Sequence, residues 1–254
     1  MNFKRFMPES TALRAGSALV LVALLAACSG SGKPKPAELP ANPSLMGVRQ
    51  AWNVRIPGVE FPLTADVSGD IVTVAGSEGT GVATRPPPGR PTWGASPRGR
   101  LAAGVGSDGS LTAVVTTNNE VVAIENGKVL WKQRLSAQAF TAPLVAGRRV
   151  FVQTADRSVS AWDGQSGRRL WQQQRPGENL VLRKSGVLIA VGDTLVAGLG
   201  GRLVGMNPGN GSSRWEAPIA APRGTNDVER LVDLTGRVSR YGDTDCARAY
   251  YASV

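Results

Sequence analysis

The sequence predicts an all-β fold built from repeats of about 40 residues, and three observations support this prediction. Tryptophan recurs at intervals of 41, 38, 40 and 44 residues, at Trp52, Trp93, Trp131, Trp171 and Trp215. A glycine-containing turn precedes four of these tryptophans, and an apolar strand precedes three of those turns, at 121–124, 159–162 and 203–206. The chain also contains 31 glycines and 17 prolines, which disfavour long helices.

Residues 139–171 show what one repeat contains. Three short β-type runs, at 141–146, 150–154 and 159–162, are followed by a turn rich in glycine and aspartate and by a closing run that ends at Trp171. Strands this short need neighbouring copies of the unit to bury their faces. Four strands per repeat and this period are typical of β-propeller blades. Arrays of helical hairpins share the period, but the 3.6-residue apolar pattern that they require is missing.

The first 27 residues are predicted to be a lipoprotein signal peptide. A basic start is followed by an apolar core at 15–27, which is too short to span a bilayer. The core ends in Leu-Ala-Ala-Cys, which resembles a bacterial lipobox, so Cys28 is predicted to carry lipid. An ordinary signal peptide with an incidental cysteine is the alternative. Ser29 favours the outer membrane, so we expect a lipid-anchored protein that faces the periplasm.

Residues 28–50 are rich in Ser, Gly, Pro and Ala, and are predicted to be a lipidated flexible tether. A leader without a function would have the same composition. Residues 51–254 are predicted to be a partial propeller. Because Cys28 is assigned to lipid, Cys246 is expected to be unpaired, as a small buried apolar residue in a strand.

The repeats predict four whole blades and part of a fifth, at 61–93, 101–131, 139–171, 180–215 and 227–254. The last of these has no closing turn and no final tryptophan, so the sequence predicts an incomplete ring in a C-terminally truncated chain. The run WNVRI at 52–56 is expected to be a strand without a partner.

The stretch 81–100 departs from the repeat. Three prolines fill the turn at 86–88, and because proline cannot donate to a ladder, the third strand of the first blade is expected to be weak. A divergent blade explains the departure, and so does a pair of compensating frameshifts in a GC-rich gene.

The net charge of +10 is compatible with nucleic-acid binding, but the predicted export argues against that partner. An Arg-rich, Ala-rich and Gly-rich chain also reflects a GC-rich genome. We therefore predict no nucleic-acid partner.

The blade motif, with glycine three or four residues before tryptophan, resembles the repeat of pyrroloquinoline-quinone-type propellers. Joined to a lipobox, it resembles the BamB family, the propeller lipoproteins of the outer-membrane β-barrel assembly machinery. The resemblance covers nearly all of 15–254, and 178–208 and 224–238 are its most specific pieces. It implies an eight-bladed, non-enzymatic scaffold. Its implied partners are the periplasmic domains of the central barrel subunit (BamA-type), the other subunits of the complex and unfolded outer-membrane proteins.

The resemblance also implies a partner-binding site. In the family, a Leu-x-Leu-Arg loop and a nearby acidic loop touch the central subunit. Leu180, Leu182 and Arg183 match the first loop and Asp233 matches the first acidic position of the second, whereas the second acidic position is Thr235. On the residues alone, a Leu/Arg pair at a blade boundary suits an interface. The alternative is that both leucines are core residues of an inner strand and Arg183 is merely solvated.

Catalysis is not expected. Quinoprotein dehydrogenases share the repeat, but the vicinal cysteine pair often present in them is missing, and Asp156 and Asp163 lie in turns that favour aspartate for its own backbone bonds. The absence of histidine argues against a zinc hydrolase, a histidine base or an activated serine. We predict no metal and no cofactor apart from the lipid on Cys28. A quinone-dependent dehydrogenase and a ligand- or polymer-binding lipoprotein propeller remain the alternatives.

Overall fold

The structure is a computed structural model that describes Glu38 and residues 47–53, 55–56, 58–84, 93–95, 99–177, 180–242 and 244–250. For 82–84 and 93–95 it describes the backbone only. The predicted signal peptide, Cys28 and most of the predicted tether lie outside the described residues. The chain divides into two units, Met1–Arg49 and Gln50–Val254, and every strand below belongs to the second.

The described part of the chain is all-β, as predicted. Four consecutive sheets each contain four antiparallel strands in sequence order. The first blade contains β1 (Asp66–Ser68), β2 (Ile71–Ala75), β3 (Gly81–Thr84) and β4 (Trp93–Ala95), and the second contains β5 (Gly106–Ser107), β6 (Leu111–Val115), β7 (Glu120–Glu125) and β8 (Lys128–Arg134). The third blade contains β9 (Leu144–Ala146), β10 (Arg149–Gln153), β11 (Ser158–Asp163) and β12 (Arg169–Gln174), and the fourth contains β13 (Leu188–Val191), β14 (Thr194–Leu199), β15 (Arg202–Met206) and β16 (Ser213–Pro218). A hairpin follows, β17 (Ser239–Tyr241) with β18 (Thr244–Cys246).

The four sheets have the β-propeller arrangement, with an apolar core between each pair of neighbouring blades. Alternate side chains of one strand point to opposite faces of its sheet. In β10, Val150 and Val152 therefore join the core shared with the second blade, while Phe151 joins the core shared with the fourth. Within the described residues the blades do not close into a ring.

Trp93, Trp131, Trp171 and Trp215 lie in the fourth strands of their blades, and two of them, Trp131 and Trp171, link neighbouring blades. Trp131 Nε1 donates a hydrogen bond of 2.8 Å to the carbonyl oxygen of Gly164 in the third blade. Trp171 Nε1 donates one of 3.0 Å to the carbonyl oxygen of Pro208 in the fourth. The spacing of Trp131 and Trp171 in the sequence therefore matches the spacing of contacts between neighbouring blades.

The off-pattern stretch still forms two strands. β3 pairs with β2 on one side and with β4 on the other, where Val82 lies opposite Gly94. The proline-filled turn at 86–88 lies outside the described residues.

Two sequence expectations are wrong. Residues 52, 53, 55 and 56 are not in a strand, because they pair with no strand in the described chain. Cys246 does lie in a strand, β18, but it is exposed rather than buried. The β17–β18 sheet has only two strands, and its residue Tyr241 is 91% exposed, so nothing covers this part of the hairpin within the described chain.

Among the described residues, no helix has the length and apolar character needed to cross a bilayer.

Candidate partner-binding site

The predicted contact residues lie on an irregular connection between the third and fourth blades. Leu180, Leu182 and Arg183 belong to no strand, and the chain enters β13 only at Leu188. Leu180 is 40% exposed, Leu182 is half-buried and Arg183 is exposed. The alternative in which both leucines are core residues of an inner strand is therefore wrong.

The structure places Asp233 directly beside this connection. The backbone N–H of Leu182 donates a hydrogen bond of 2.8 Å to Asp233 Oδ2, although the two residues are 51 positions apart in the chain. A second link joins the same two segments, because the N–H of Gly236 donates to the carbonyl oxygen of Ser185 at 3.0 Å. The fold thus brings together all four residues that the sequence singled out. Below, residues 180–186 are called the contact loop.

Thr235 occupies the position at which the family pattern has its second acidic residue. It is only 7% exposed, and its N–H donates to the carbonyl oxygen of Arg248 at 3.0 Å. Its side chain is therefore not offered to a partner at the surface.

Arg157 is a member of this site that the sequence did not single out. It lies in the turn between β10 and β11, and its Nη1 is 3.7 Å from Asp233 Oδ1. Its Nη2 donates to the carbonyl oxygen of Leu180 at 3.5 Å. The signal in the sequence was an arginine at a turn position that the second blade fills with Asn119. In the structure, Arg157 has a φ of 62°, in the left-handed region where non-glycine residues are uncommon.

Two cations of the contact loop lie over aromatic rings. The guanidinium carbon of Arg183 is 5.7 Å from the centre of the Phe140 ring, and Lys184 Nζ is 5.1 Å from the centre of the Tyr250 ring. Such contacts hold the side-chain stem while the charge stays at the surface. The loop therefore presents an apolar side chain, Leu180, next to fixed positive charge.

The contact loop borders two recesses. A cleft of about 390 Å³ on one side is lined by Leu180, Arg157 and Asp233 together with residues of β15, β16 and 230–232. A groove of about 680 Å³ on the other side is lined by residues at or just before the first strands of the blades. Four basic residues also line it: Arg183, Lys184, Arg237 and Arg248. Asp66 is the acidic residue in that lining.

The two aspartates weighed as catalytic candidates act as turn caps. Asp156 Oδ1 accepts hydrogen bonds from Thr154 Oγ1 at 2.6 Å and from the N–H of Ser158 at 3.1 Å. Burial alone would raise the pKa of Asp156, but hydrogen bonds from Thr154, Ser136 and Ser158 outweigh it, so that the pKa is lowered. In the same way, Asp163 Oδ1 accepts from the hydroxyl of Ser166 at 2.7 Å, which lowers the pKa of Asp163.

Asp66 behaves in the opposite way. Burial raises the pKa of Asp66, although the N–H of Ser107 donates to its Oδ2 at 2.9 Å, and the charge of Asp108 adds to the rise. Asp66 thus joins the first strand of the first blade to the first strand of the second. In the described ranges, no group of three or more Cys, Asp or Glu side chains is arranged to hold a metal ion.

Comparison with known proteins identifies a family. The family model described as outer membrane protein assembly factor BamB matches residues 62–254. The protein of that name from Bordetella pertussis is 35% identical over 246 residues, which are 93% of this chain and 64% of the relative. The one from Burkholderia pseudomallei is 35% identical over 232 residues, or 89% of this chain and 61% of the relative. The chain thus spans less than two thirds of the length of these curated relatives.

Solved structures agree on the fold. BamB from Moraxella catarrhalis superposes with a TM-score of 0.67 at 20% identity, over 74% of this chain and 58% of that one. A quinohemoprotein alcohol dehydrogenase from Pseudomonas putida HK5 superposes with a TM-score of 0.51 at 15% identity, over 75% of this chain and 38% of that one. Both likenesses show a shared fold alone. Since the family model covers most of the sequence, the chain belongs to the family of outer membrane protein assembly factor BamB.

Proposed function

We propose that this protein is a non-enzymatic scaffold subunit of an outer-membrane protein assembly complex. In this proposal it binds the periplasmic domains of the central barrel subunit and aids the delivery and insertion of β-barrel outer-membrane proteins. The observation that carries the proposal is the contact loop, where Leu180 and Arg183 are exposed. Asp233 holds this segment by accepting a hydrogen bond from the N–H of Leu182.

The chemistry of the loop supports a protein partner. An exposed leucine gains free energy when a partner covers it, and a neighbouring guanidinium offers a fork of donors to a carboxylate. Arginine is enriched among the residues that dominate protein interfaces. The loop is irregular but tied at Leu182 and Ser185, so little conformational entropy is lost when it binds.

The proposed location is supported by the lipobox-like sequence that ends at Cys28. Lipid on Cys28 would attach the chain to the outer membrane, and residues 28–50 would hold the propeller away from the lipid surface on the periplasmic side. The other subunits of the complex and unfolded outer-membrane proteins are the further partners in this proposal.

Absence of catalysis is part of the same proposal. It is supported by the turn-capping hydrogen bonds of Asp156 and Asp163, which give both carboxylates a structural role. Quinone absorbance in the purified protein would contradict it.

Co-purification from outer membranes tests the proposed partner. The double variant Leu180→Ala/Arg183→Ala should recover much less of the central barrel subunit than the unchanged protein. The matched control is Leu130→Ala/Arg134→Ala on β8, since Leu130 is also 40% exposed and Arg134 is also exposed. Equal recovery with both double variants, each folded, would refute the proposed contact.

A further inference from the structure

We propose that Arg157 is a positioning residue for the contact loop. Asp233, in this proposal, also positions the loop from the protein side and does not itself contact the partner. This inference rests on the proposed function, because the loop matters only if a partner binds there. In this inference, Arg157 and Asp233 form a largely buried ion pair that holds Leu180 and Leu182 in place.

The backbone conformation at Arg157 is one that a long side chain disfavours. The same turn occurs in three blades, and in each the third turn residue donates its N–H to the carbonyl three positions back at 3.1 Å, at Gly79, Asn119 and Arg157. All three have positive φ, at 84°, 60° and 62°. Glycine and asparagine tolerate that region, whereas a long side chain is disfavoured in it. Arginine therefore occupies this position against its backbone preference.

The surroundings of Arg157 are shaped to its side chain. Two glycines leave room for it: a Cβ on Gly177 would lie 2.7 Å from Arg157 Nε, and a Cβ on Gly200 would collide with Arg157 Nη1. The Arg157 side chain is only 10% exposed. Because these glycines come from the end of the third blade and from the β14–β15 turn, Arg157 lies where three segments meet.

Asp233 completes the pair with both carboxylate oxygens. Oδ1 faces Arg157 Nη1 at 3.7 Å, and Oδ2 accepts from the N–H of Leu182 at 2.8 Å. Its side chain is 14% exposed, so little of it is available to a partner. Removing Arg157 would take this positive charge away from the largely buried carboxylate of Asp233.

Arg157 and Asp233 position the contact loop through hydrogen bonds to its backbone. Arg157 binds the carbonyl oxygen of Leu180 directly, while Asp233 binds the N–H of Leu182. The backbone on either side of Val181 is thus held at two points, which fixes the direction in which Leu180 leaves the surface.

Amide hydrogen exchange at Leu182 in the free protein tests the proposal without a partner. Arg157→Asn should speed this exchange about tenfold, since the Leu182 hydrogen bond loses its support. Asparagine suits the left-handed turn, as Asn119 does, so the backbone gain should offset part of the cost of losing the ion pair, and the variant should still fold. Arg148→Asn is the control, because Arg148 is an exposed arginine of the third blade with φ of 59°. It should leave the exchange at Leu182 unchanged.

Binding to the periplasmic domains of the central barrel subunit is the second readout. Arg157→Asn and Asp233→Ala should each weaken it about tenfold, and the double variant should be little worse than either, because both remove one device. Arg157→Lys keeps the charge and should restore part of the protection at Leu182. Wild-type exchange at Leu182 in Arg157→Asn would overturn the proposal, and so would additive losses of affinity in the double variant. Unchanged affinity in Leu180→Ala/Arg183→Ala would instead overturn the proposed function, with the exchange result still reporting on Arg157.

Discussion

Trp131 covers Gly167 so closely that a Cβ on Gly167 would lie 2.6 Å from two carbons of the indole ring. Trp171 covers Gly211 at the same hypothetical distance. Each glycine precedes the tryptophan of its own blade by four residues, yet the ring that covers it comes from the preceding blade. In the Gly-x-x-x-Trp motif from Gly167 to Trp171, the glycine therefore contacts the preceding blade, whereas the tryptophan contacts the following one.

Gly167→Ala should destabilise the fold through both the backbone and the clash. Gly167 has φ of 69°, and its added methyl group has no space beside Trp131. We expect a loss of roughly 2–5 kcal/mol in the free energy of unfolding, measured with urea. Gly192→Ala is the control, since Gly192 has φ of 57° with nothing within 4 Å of its hypothetical Cβ. It should lose only about 1–2 kcal/mol. Equal losses at the two positions would show that Trp131 does not constrain Gly167.

Trp131→Phe should weaken the joint between the second and third blades. The change removes the Nε1–H bond to the carbonyl oxygen of Gly164 and part of a ring that is only 9% exposed. We expect a loss of about 1–3 kcal/mol in the free energy of unfolding. Trp215→Phe should cost less, because Trp215 is 41% exposed. A larger loss at Trp215 would contradict the role given to the joint.

Asp156 should make stability depend on pH in the acid range. Its pKa is lowered in the folded state, so its contribution is fully present above the pKa of the unfolded chain. That contribution is lost as pH falls through the lower, folded value. The melting temperature of Asp156→Ala should therefore lie below that of the unchanged protein at neutral pH and converge with it in acid. A gap that stays constant down to about pH 3, below the unfolded value, would contradict this assignment.

Asp66 should show the opposite sign. Burial raises its pKa in the folded state, so ionised Asp66 carries a cost at neutral pH that disappears as pH falls below the unfolded value. Asp66→Asn keeps an acceptor for the N–H of Ser107 and should raise the melting temperature at neutral pH. The gain should vanish in acid. A loss of stability at neutral pH would show that the charge of Asp66 is needed.

Local periodicity was sufficient to predict the fold class and the inner strands of the third blade. The strands predicted at 150–154 and 159–162 are observed at Arg149–Gln153 and Ser158–Asp163, because alternating apolar residues and turn residues act over a few positions. The expectations for 52–56 and Cys246 failed for one reason. A run becomes a strand only when another strand pairs with it, and a strand residue is buried only when something packs over it; local sequence reports neither condition.

The candidate site was likewise predicted only in part from the sequence. Leu180, Leu182, Arg183 and Asp233 were found through a family pattern, and the structure brings them together. Arg157 was missed because its partners Leu180 and Asp233 are distant in the chain and no spacing rule connects them. A single local sign was present, an arginine at a turn position that another blade fills with Asn119.

The affinity of the purified full chain for the periplasmic domains of the central barrel subunit, measured by calorimetry, tests the proposed contact most directly. Leu180→Ala/Arg183→Ala should raise the Kd more than about tenfold, because an anchoring leucine and its neighbouring arginine are both removed. Leu130→Ala/Arg134→Ala, with a leucine of equal exposure on β8, should leave the Kd unchanged. An unchanged Kd for the first variant, or an equal rise for both, would contradict the account.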